Sequence, residues 1–382
     1  LKKEILCIPA GLNFSPQAAG PMWRFAKLLP LLPSGPHPAW ILGGTPLHPA
    51  GRLASRLGVA NLYLKDDTCL PSASLKDRAA ALAVAHAHHL RKGELACAST
   101  GNAAASLALL ASSAGLPCHI FVPAAAPAGK LAQLLIHGAN VGRIEGTYDL
   151  AFEYSLDQIE AHGWYSRNCA HNPLLVEGKK TAGLEMIWDL TCGLGAQNPP
   201  WPDAVFVPVG DGCIISGVAK AFAQMAALGL TPPSPRIIGV QASGAAPLAS
   251  AWAGCPDPAG LTGQEILQAV APVVASSLAD SIAVGVPRNR VKAWQAVAGS
   301  QGAFLAVTDE EIVQAIRELG LWGGVFAEPS GATGVAGVRK ALAEGLIQPD
   351  STVAVMVTGH GLKDPQPALE GWELPEPISP NS

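Results

Sequence analysis

This 382-residue sequence has no excess of positive charge. It holds 25 lysine and arginine residues against 29 aspartate and glutamate residues, for a net charge of −4, and its pI is near 6.2. Nucleic acids and anionic membrane surfaces are usually bound by proteins with a clear basic patch. The charge balance therefore argues against both classes of partner.

Paired cysteines and an apolar leader are also missing. The first residues, Leu1 to Leu6, carry two lysines and no apolar stretch of the length found in secretory signals. The eight cysteines have no paired spacing, which is typical of reduced thiols in the cytoplasm. Cys7 begins a segment similar to half of a zinc knuckle, but no second cysteine follows. We expect a cytoplasmic protein without a metal ion.

Apolar residues, by contrast, are plentiful. They make up 49% of the chain, and the mean hydropathy is +0.27. An uncharged run from Asn102 to Gly129 is long enough for a membrane span, but Gly115 and Pro117 divide it into a helix and a strand. The composition therefore predicts a large buried core, most simply in two domains.

Short apolar strands alternate with helical patterns through most of the chain. The strands are predicted at 61–67, 95–98, 119–123, 140–144, 204–209, 237–241 and 352–357. Helices are predicted at 77–90, 103–114, 130–137, 150–162, 181–190, 309–319 and 335–343. Such βαβ repeats favour α/β domains with doubly wound, open parallel sheets. Residues 30–38 are rich in proline, which predicts an irregular arm.

A glycine-rich loop follows the strand at 204–209. Gly210, Asp211, Gly212, Cys213 and Ile214 lead into a helical pattern. Glycines allow close approach of the backbone, and free N–H groups at a helix start bind anions. The spacing matches neither a dinucleotide fingerprint nor a nucleoside triphosphate loop. A single phosphate group is the better fit.

Lys76 lies at the predicted start of a helix, where the helix dipole disfavours a cation. A lysine with a lowered pKa is a usable Schiff-base nucleophile. Taken alone, Lys76 is better interpreted as a surface lysine paired with Asp77. Polar residues after other strands change that interpretation, because the carboxyl ends of parallel strands form ligand sites in α/β sheets. These residues are Ser99, Thr100, Gly101 and Asn102 after one strand, and Thr358 to Asp364 after the last.

The chain resembles pyridoxal-phosphate enzymes of fold type II, the tryptophan synthase β-subunit fold, and among them the threonine synthases. The similar segments are residues 43–47, 74–78, 99–102, 177–181, 210–217, 328–332 and 358–364, in family order. The resemblance implies that pyridoxal 5′-phosphate lies in a cleft between two domains. It implies an arm over residues 1–40, a large cofactor-binding domain from 41–85 and 176–382, and a small domain over 86–175. A homodimer acting on a small amino acid is also implied.

The resemblance assigns a role to each candidate residue. Lys76 would carry the cofactor and then act as the base, and Asn102 would bind its 3′-oxygen. The turn from Ser99 to Asn102 would bind the substrate carboxylate. The loop from Gly210 to Ile214 would bind the cofactor phosphate, and Thr358 would face the pyridine nitrogen.

The predicted substrate pocket departs from the family pattern. Leu175 occupies the position of an arginine that holds the phosphate of O-phosphohomoserine, and a leucine cannot replace that cation. Cys169, Ala103 and Ile214 also differ from the family. His171, Lys179 and Lys180 are possible substitutes, although a lysine pair beside Glu177 is more typical of a solvated face.

Three functions therefore remain open. The first is a lyase acting by β-elimination on a small hydroxy or O-substituted amino acid, as threonine and serine ammonia-lyases do. The second is threonine synthase itself, with Lys179 among the substrate-binding residues. The third is a non-catalytic protein that binds pyridoxal phosphate and acts in regulation. The departures at Leu175 favour the first.

Overall fold

The computed structural model describes residues 20–30, 41–169, 171–193, 200–373 and 375–380. The predicted zinc-knuckle half at Cys7 and most of the proline-rich segment at 30–38 lie outside this part of the chain. Within it, ten strands and thirteen α-helices alternate for most of the length.

The strands are β1 (Leu47–Pro49), β2 (Asn61–Asp66), β3 (Leu95–Ala98), β4 (Cys118–Pro123), β5 (Asn140–Ile144), β6 (Tyr165–Ser166), β7 (Ala204–Pro208), β8 (Arg236–Ala242), β9 (Ala303–Val307) and β10 (Thr352–Val357). The helices of the first half are α1 (Gly51–Leu57), α2 (Lys76–His89), α3 (Asn102–Ser113), α4 (Ala128–Leu135), α5 (Tyr148–His162) and α6 (Leu174–Trp188). Those of the second half are α7 (Cys213–Ala227), α8 (Pro247–Ala253), α9 (Gly263–Ala269), α10 (Arg290–Gly299), α11 (Asp309–Glu318), α12 (Pro329–Ala343) and α13 (Gln366–Leu369).

Two open sheets form the framework, as the predicted α/β class requires. The larger has the order β1-β2-β10-β7-β8-β9, and only its β1–β2 pair is antiparallel. The smaller, β5-β4-β3-β6, is entirely parallel. The segment of the chain between β2 and β7 forms the smaller sheet. The larger sheet therefore combines strands from before and after that segment. The exact domain boundaries at 85 and 175 stay a prediction.

Three apolar clusters hold these layers together. Two cover opposite faces of the six-stranded sheet, and the third packs around the four-stranded sheet with α2 and α3. The central strands β3, β7 and β10 are buried along their whole length because both faces of their sheets carry helices, which explains their apolar runs. Among the described residues, no helix is long and apolar enough to cross a membrane.

The prediction for α6 was wrong at its start. The helix begins at Leu174, seven positions before the predicted residue 181. Pro173 is compatible with a helix start because its missing N–H would have no partner there. Gly178 packs so closely against α2 that an added Cβ would lie 2.4 Å from the Arg78 carbonyl oxygen. The polar, turn-like residues of this segment are therefore helical and face the core.

Lys179 and Lys180 correct a second prediction, that this pair forms a solvated face. Each residue is only 1% exposed. Lys180 Nζ lies 2.6 Å from Glu177 and donates to the Leu28 carbonyl and to Gln224. A buried lysine needs such partners. Lys179 instead faces the cavity described next.

Candidate active site

A cavity of about 360 Å³ lies where strand ends of the two sheets meet. Most of the residues singled out in the sequence line it, namely Lys76, Ser99, Thr100, Gly101, Asn102, Lys179, Gly210, Asp211, Gly212, Cys213 and Ile214. Thr358 is buried nearby but is not one of the lining residues. The sequence therefore predicted which segments converge on one site.

Lys76 is the first residue of α2 and faces this cavity. Burial lowers the pKa of Lys76, and the positive charges of Lys179 and Arg167 lower it further. Asp77 is not its partner, because that carboxylate accepts hydrogen bonds from the backbone N–H and hydroxyl of Ser72. The unprotonated, nucleophilic form of the amine is thus favoured.

The segment before Lys76 is held by the end of β10. Leu75 N–H donates to the Thr358 carbonyl over 2.9 Å, and His360 N–H donates to the Ala73 carbonyl over 3.0 Å. Ala73 has φ of +57°, a left-handed conformation that costs free energy for a residue with a Cβ. These backbone hydrogen bonds from residues far along the chain keep the loop in that conformation.

Asn102, the first residue of α3, reaches across to the larger sheet. Its Nδ2 donates to Glu328 Oε1 over 2.8 Å and lies 3.4 Å from Ser281 Oγ. Burial raises the pKa of Glu328 to about 7, although Lys76, Lys363 and the Asn102 hydrogen bond oppose this. The Glu328 segment resembled the family in the sequence, but its contact with Asn102 was not predicted.

The loop from Gly210 to Ile214 joins β7 to α7 and has the geometry of an anion site. Gly212 has φ of +88°, and an added Cβ would lie 2.8 Å from the Ala293 Cβ. Cys213 is the first residue of α7. The first N–H groups of a helix have no partner within it, so they are available to bind an anion. Asp211 accepts from the Arg288 N–H over 3.1 Å and thereby fixes the loop. This loop fits the phosphate of pyridoxal phosphate, and a buried lysine with a lowered pKa fits its aldehyde.

The cavity also contains arginines that the sequence interpretation missed. Arg167 follows β6, is 1% exposed, and has no hydrogen-bond partner for Nε or Nη2 among the described residues. Arg288 lines the same cavity and lies over the Phe152 ring, 4.5 Å from its centroid. The position of Arg167 after a parallel strand was a usable signal. Arg288 lies in an irregular segment, where no strand or helix pattern in the sequence indicated a site residue.

Leu175 does not have the role that the sequence interpretation gave it. Its side chain is fully buried in the apolar cluster around α2 and α3 and is not a cavity residue. The cavity therefore keeps Arg167, Lys179 and Arg288 as cations, in addition to Lys76. His171 is exposed.

Comparisons with known proteins agree with this geometry. A family model described as "Pyridoxal-phosphate dependent enzyme" matches residues 41–359. A protein named threonine synthase from Methanosarcina acetivorans is 37% identical over 363 residues, covering 94% of this chain and 84% of the relative. One of the same name from Methanocaldococcus jannaschii is 35% identical over 93% of this chain and 83% of its own length.

Solved structures show the same fold. The processed form of threonine deaminase isoform 2 from Solanum lycopersicum superposes with a TM-score of 0.70 at 24% identity, covering 86% of this chain and 88% of that one. Diaminopropionate ammonia lyase from Escherichia coli also reaches 0.70, at 17% identity, over 87% of this chain and 88% of that chain. The chain belongs to the pyridoxal-phosphate dependent enzymes of fold type II and is a lyase of the threonine synthase type.

Proposed function

We propose that this enzyme is a threonine synthase, which converts O-phospho-L-homoserine and water into L-threonine and phosphate. The observation that carries the proposal is the buried Arg167 guanidinium, whose Nε and Nη2 have no partner among the described residues. Buried guanidinium N–H groups without a partner are costly, and an anionic ligand that accepts from them offsets that cost. The relatives named threonine synthase support the same substrate.

The preference for β-elimination in the sequence interpretation depended on Leu175. Since Leu175 lies in the core, its lack of charge does not remove a cation from the pocket. A hydroxy amino acid such as serine would offer no phosphate to Arg167 Nε and Nη2, which have no partner among the described residues. The phosphorylated substrate therefore fits this cavity better than a neutral side chain does.

The cofactor would be held by the residues already named. Lys76 Nζ would bond to it covalently, the loop from Gly210 to Ile214 would hold its phosphate, and Asn102 would face its ring oxygen. Thr358, at the end of β10, would stand at the ring nitrogen. When bound, pyridoxal phosphate supplies the electron sink that makes the Cα proton of an amino acid removable.

The chain's own residues then account for binding and proton transfer. The α3 N-terminus, with Ser99 and Thr100, would hold the substrate carboxylate. Lys76 Nζ, with its lowered pKa, would take the Cα proton and later return one. The 3.4 Å contact of Asn102 with Ser281 is long, so it is the one that a ligand oxygen would replace.

Arg167, Lys179 and Arg288 would bind the phosphate that leaves. Lys179 already has Cys169 as a partner at 3.0 Å, and Arg288 has Asp211 at 3.7 Å. Arg167 Nη1 lies 3.5 Å from Cys169, but its Nε and Nη2 have no partner among the described residues. It is therefore the cation whose loss should affect phosphate binding most.

An assay panel of O-phospho-L-homoserine, L-threonine and L-serine tests the proposal, with inorganic phosphate and 2-oxo acid as the readouts. We expect phosphate and threonine from the first substrate, and KM for it to rise about 10- to 100-fold in Arg167→Gln, since a hydrogen bond to a charged group contributes ~1.5 to 3 kcal/mol. The exposed Arg52 provides a control, Arg52→Gln. Rapid 2-oxo acid formation from serine or threonine, without threonine synthesis from the first substrate, would reject the proposal in favour of an ammonia-lyase.

A further inference from the structure

Two cysteines line the cavity from different sheets. Cys169 follows β6 of the four-stranded sheet, and Cys213 is the first residue of α7, after β7 of the six-stranded sheet. Both are free thiols. Neither thiol has a chemical role in the proposed reaction, although both lie next to residues assigned to phosphate binding.

Cys169 is surrounded mainly by positive charge. Lys179 Nζ lies 3.0 Å from its sulfur, and Arg167 Nη1 lies 3.5 Å from it. Lys76 and, with the opposite sign, Asp211 also interact with it electrostatically. A hydrogen bond from the Cys213 thiol, followed by the charges of Lys179 and Arg167, holds the pKa of Cys169 well below its usual range. These contacts favour the thiolate form of Cys169, whereas the pKa of Cys213, which is raised by its hydrogen bond to Cys169 and by burial, favours the protonated thiol.

Cys97 provides the contrast within the same cavity. It lines the cavity from β3, but burial raises the pKa of its thiol to about 12. A thiol that stays protonated is a poor nucleophile. Cys169 is thus the more reactive thiol, because it has two neighbouring cations and the hydrogen bond from Cys213 that Cys97 lacks.

We propose that Cys169 and Cys213 are an oxidisable dithiol that reacts with a low-molecular-weight disulfide and closes to a disulfide across the cavity. The Cys169 thiolate attacks one sulfur of the reagent, forms a mixed disulfide and expels one thiolate. Cys213 gives up its proton, attacks the Cys169 sulfur and expels the second thiolate. Two cysteine thiols are oxidised, and one disulfide is reduced to two thiols.

The cross-link would act on the phosphate loop. Cys213 contributes backbone to the loop that we assign to the cofactor phosphate, and a disulfide requires its two sulfurs to be about 2.05 Å apart. Bond formation also removes the negative charge that Lys179 now faces. Oxidation should therefore both displace the loop and change the charge of the pocket, and so lower activity reversibly.

Glutathione disulfide applied to the cofactor-loaded enzyme is a direct test. Digestion with trypsin and Asp-N places Cys169 in 168–179, Cys213 in 211–220 and Cys192 in a separate peptide. We expect mass spectrometry to find 168–179 joined to 211–220, in parallel with a loss of activity that dithiothreitol restores. This readout identifies the bond whether or not the proposed substrate is correct.

Three variants make the test specific. Cys169→Ser should abolish the cross-link, Cys213→Ser should stop at a glutathione adduct on Cys169, and Cys97→Ala should retain the cross-link. The inference is overturned if glutathione reacts only with the exposed Cys69 and Cys192 while both cavity peptides stay unmodified. It is equally overturned if Cys169→Ser loses activity on oxidation as the unaltered enzyme does.

Discussion

The side-chain amide of Asn102 donates a 2.8 Å hydrogen bond to Glu328, 226 positions further along the chain. Asn102 begins α3 beside the smaller sheet, and Glu328 immediately precedes α12 beside the larger one. Gly359 covers the carboxylate so closely that an added Cβ would lie 2.4 Å from Oε1. The bond thus links the two halves of the site through a carboxyl that is almost fully enclosed.

Glu328 should make stability depend on pH near neutrality. Burial raises its pKa from 4.5 to about 7, so between these values the folded enzyme retains a proton that the unfolded chain has lost. Stability contributed by this group is complete below pH ~4.5 and is lost as the pH rises through 7. Glu328→Gln should flatten the urea-unfolding free energy across this window, and the exposed Glu153→Gln should not. Identical profiles for all three proteins would contradict this.

Lys76→Ala should remove the covalent bond to the cofactor. Lys76 is the amine that faces the cavity with a lowered pKa beside Asn102 and the phosphate loop. Borohydride treatment followed by peptide mass spectrometry should find the cofactor mass on Lys76 in the unaltered enzyme and nowhere in the variant. A variant that still retains the cofactor covalently after reduction would show that another lysine carries it. Lys179, in the same cavity, would then be the first to test.

Arg78→Leu should severely destabilise the enzyme. The fully buried Arg78 donates two 2.8 Å hydrogen bonds to Asp67 and one of 2.7 Å to Glu185. Removal of one partner of a buried ion pair costs about 3 to 5 kcal/mol, because the remaining charge is unpaired. Arg56→Leu is the control, since Arg56 is 55% exposed and its partner Glu318 retains Arg339. We expect that change to cost under about 1 kcal/mol in denaturant unfolding.

Leu175→Arg should destabilise the enzyme and should not restore a family-like phosphate site. Leu175 is completely buried among apolar side chains, so an arginine there would be a charge without a partner. Leu175→Met, which conserves volume, should cost under about 1.5 kcal/mol in the same unfolding measurement. A folded Leu175→Arg enzyme with a lower KM for a phosphorylated substrate would show that this position does reach the cavity.

The sequence was most informative where local pattern and tertiary role coincide. The apolar runs at 95–98 and 352–357 are strands with those bounds, and both are buried along their whole length, as expected for strands covered on both faces. Lys76 and Asn102 were identifiable because each starts a helix just after a strand or loop at the sheet edge. The place of such residues at the ligand-binding edge of a sheet can be predicted from the order of strands and helices along the chain.

Residues whose environment is created by distant partners could not be predicted in this way. Lys179 and Lys180 resemble a solvated pair in sequence, and only packing of α6 against α2 and α7 buries them. Leu175 was placed at an arginine position from the order of the motifs, but side-chain direction in a helix depends on where the helix begins. That start was placed seven residues too late, so the burial of Leu175 in the core could not be predicted.

The hydrogen bonds from Thr358 and His360 to the loop before Lys76 also constrain when the site can form during synthesis. Residues 72–76 leave the ribosome far earlier than β10, yet the Leu75 N–H and the Ala73 carbonyl have their hydrogen-bond partners in residues that follow β10. A nascent chain that stops before residue 352 contains the lysine but not the backbone that orients it. Capture of the cofactor at Lys76 is therefore expected only after nearly the whole polypeptide has been made.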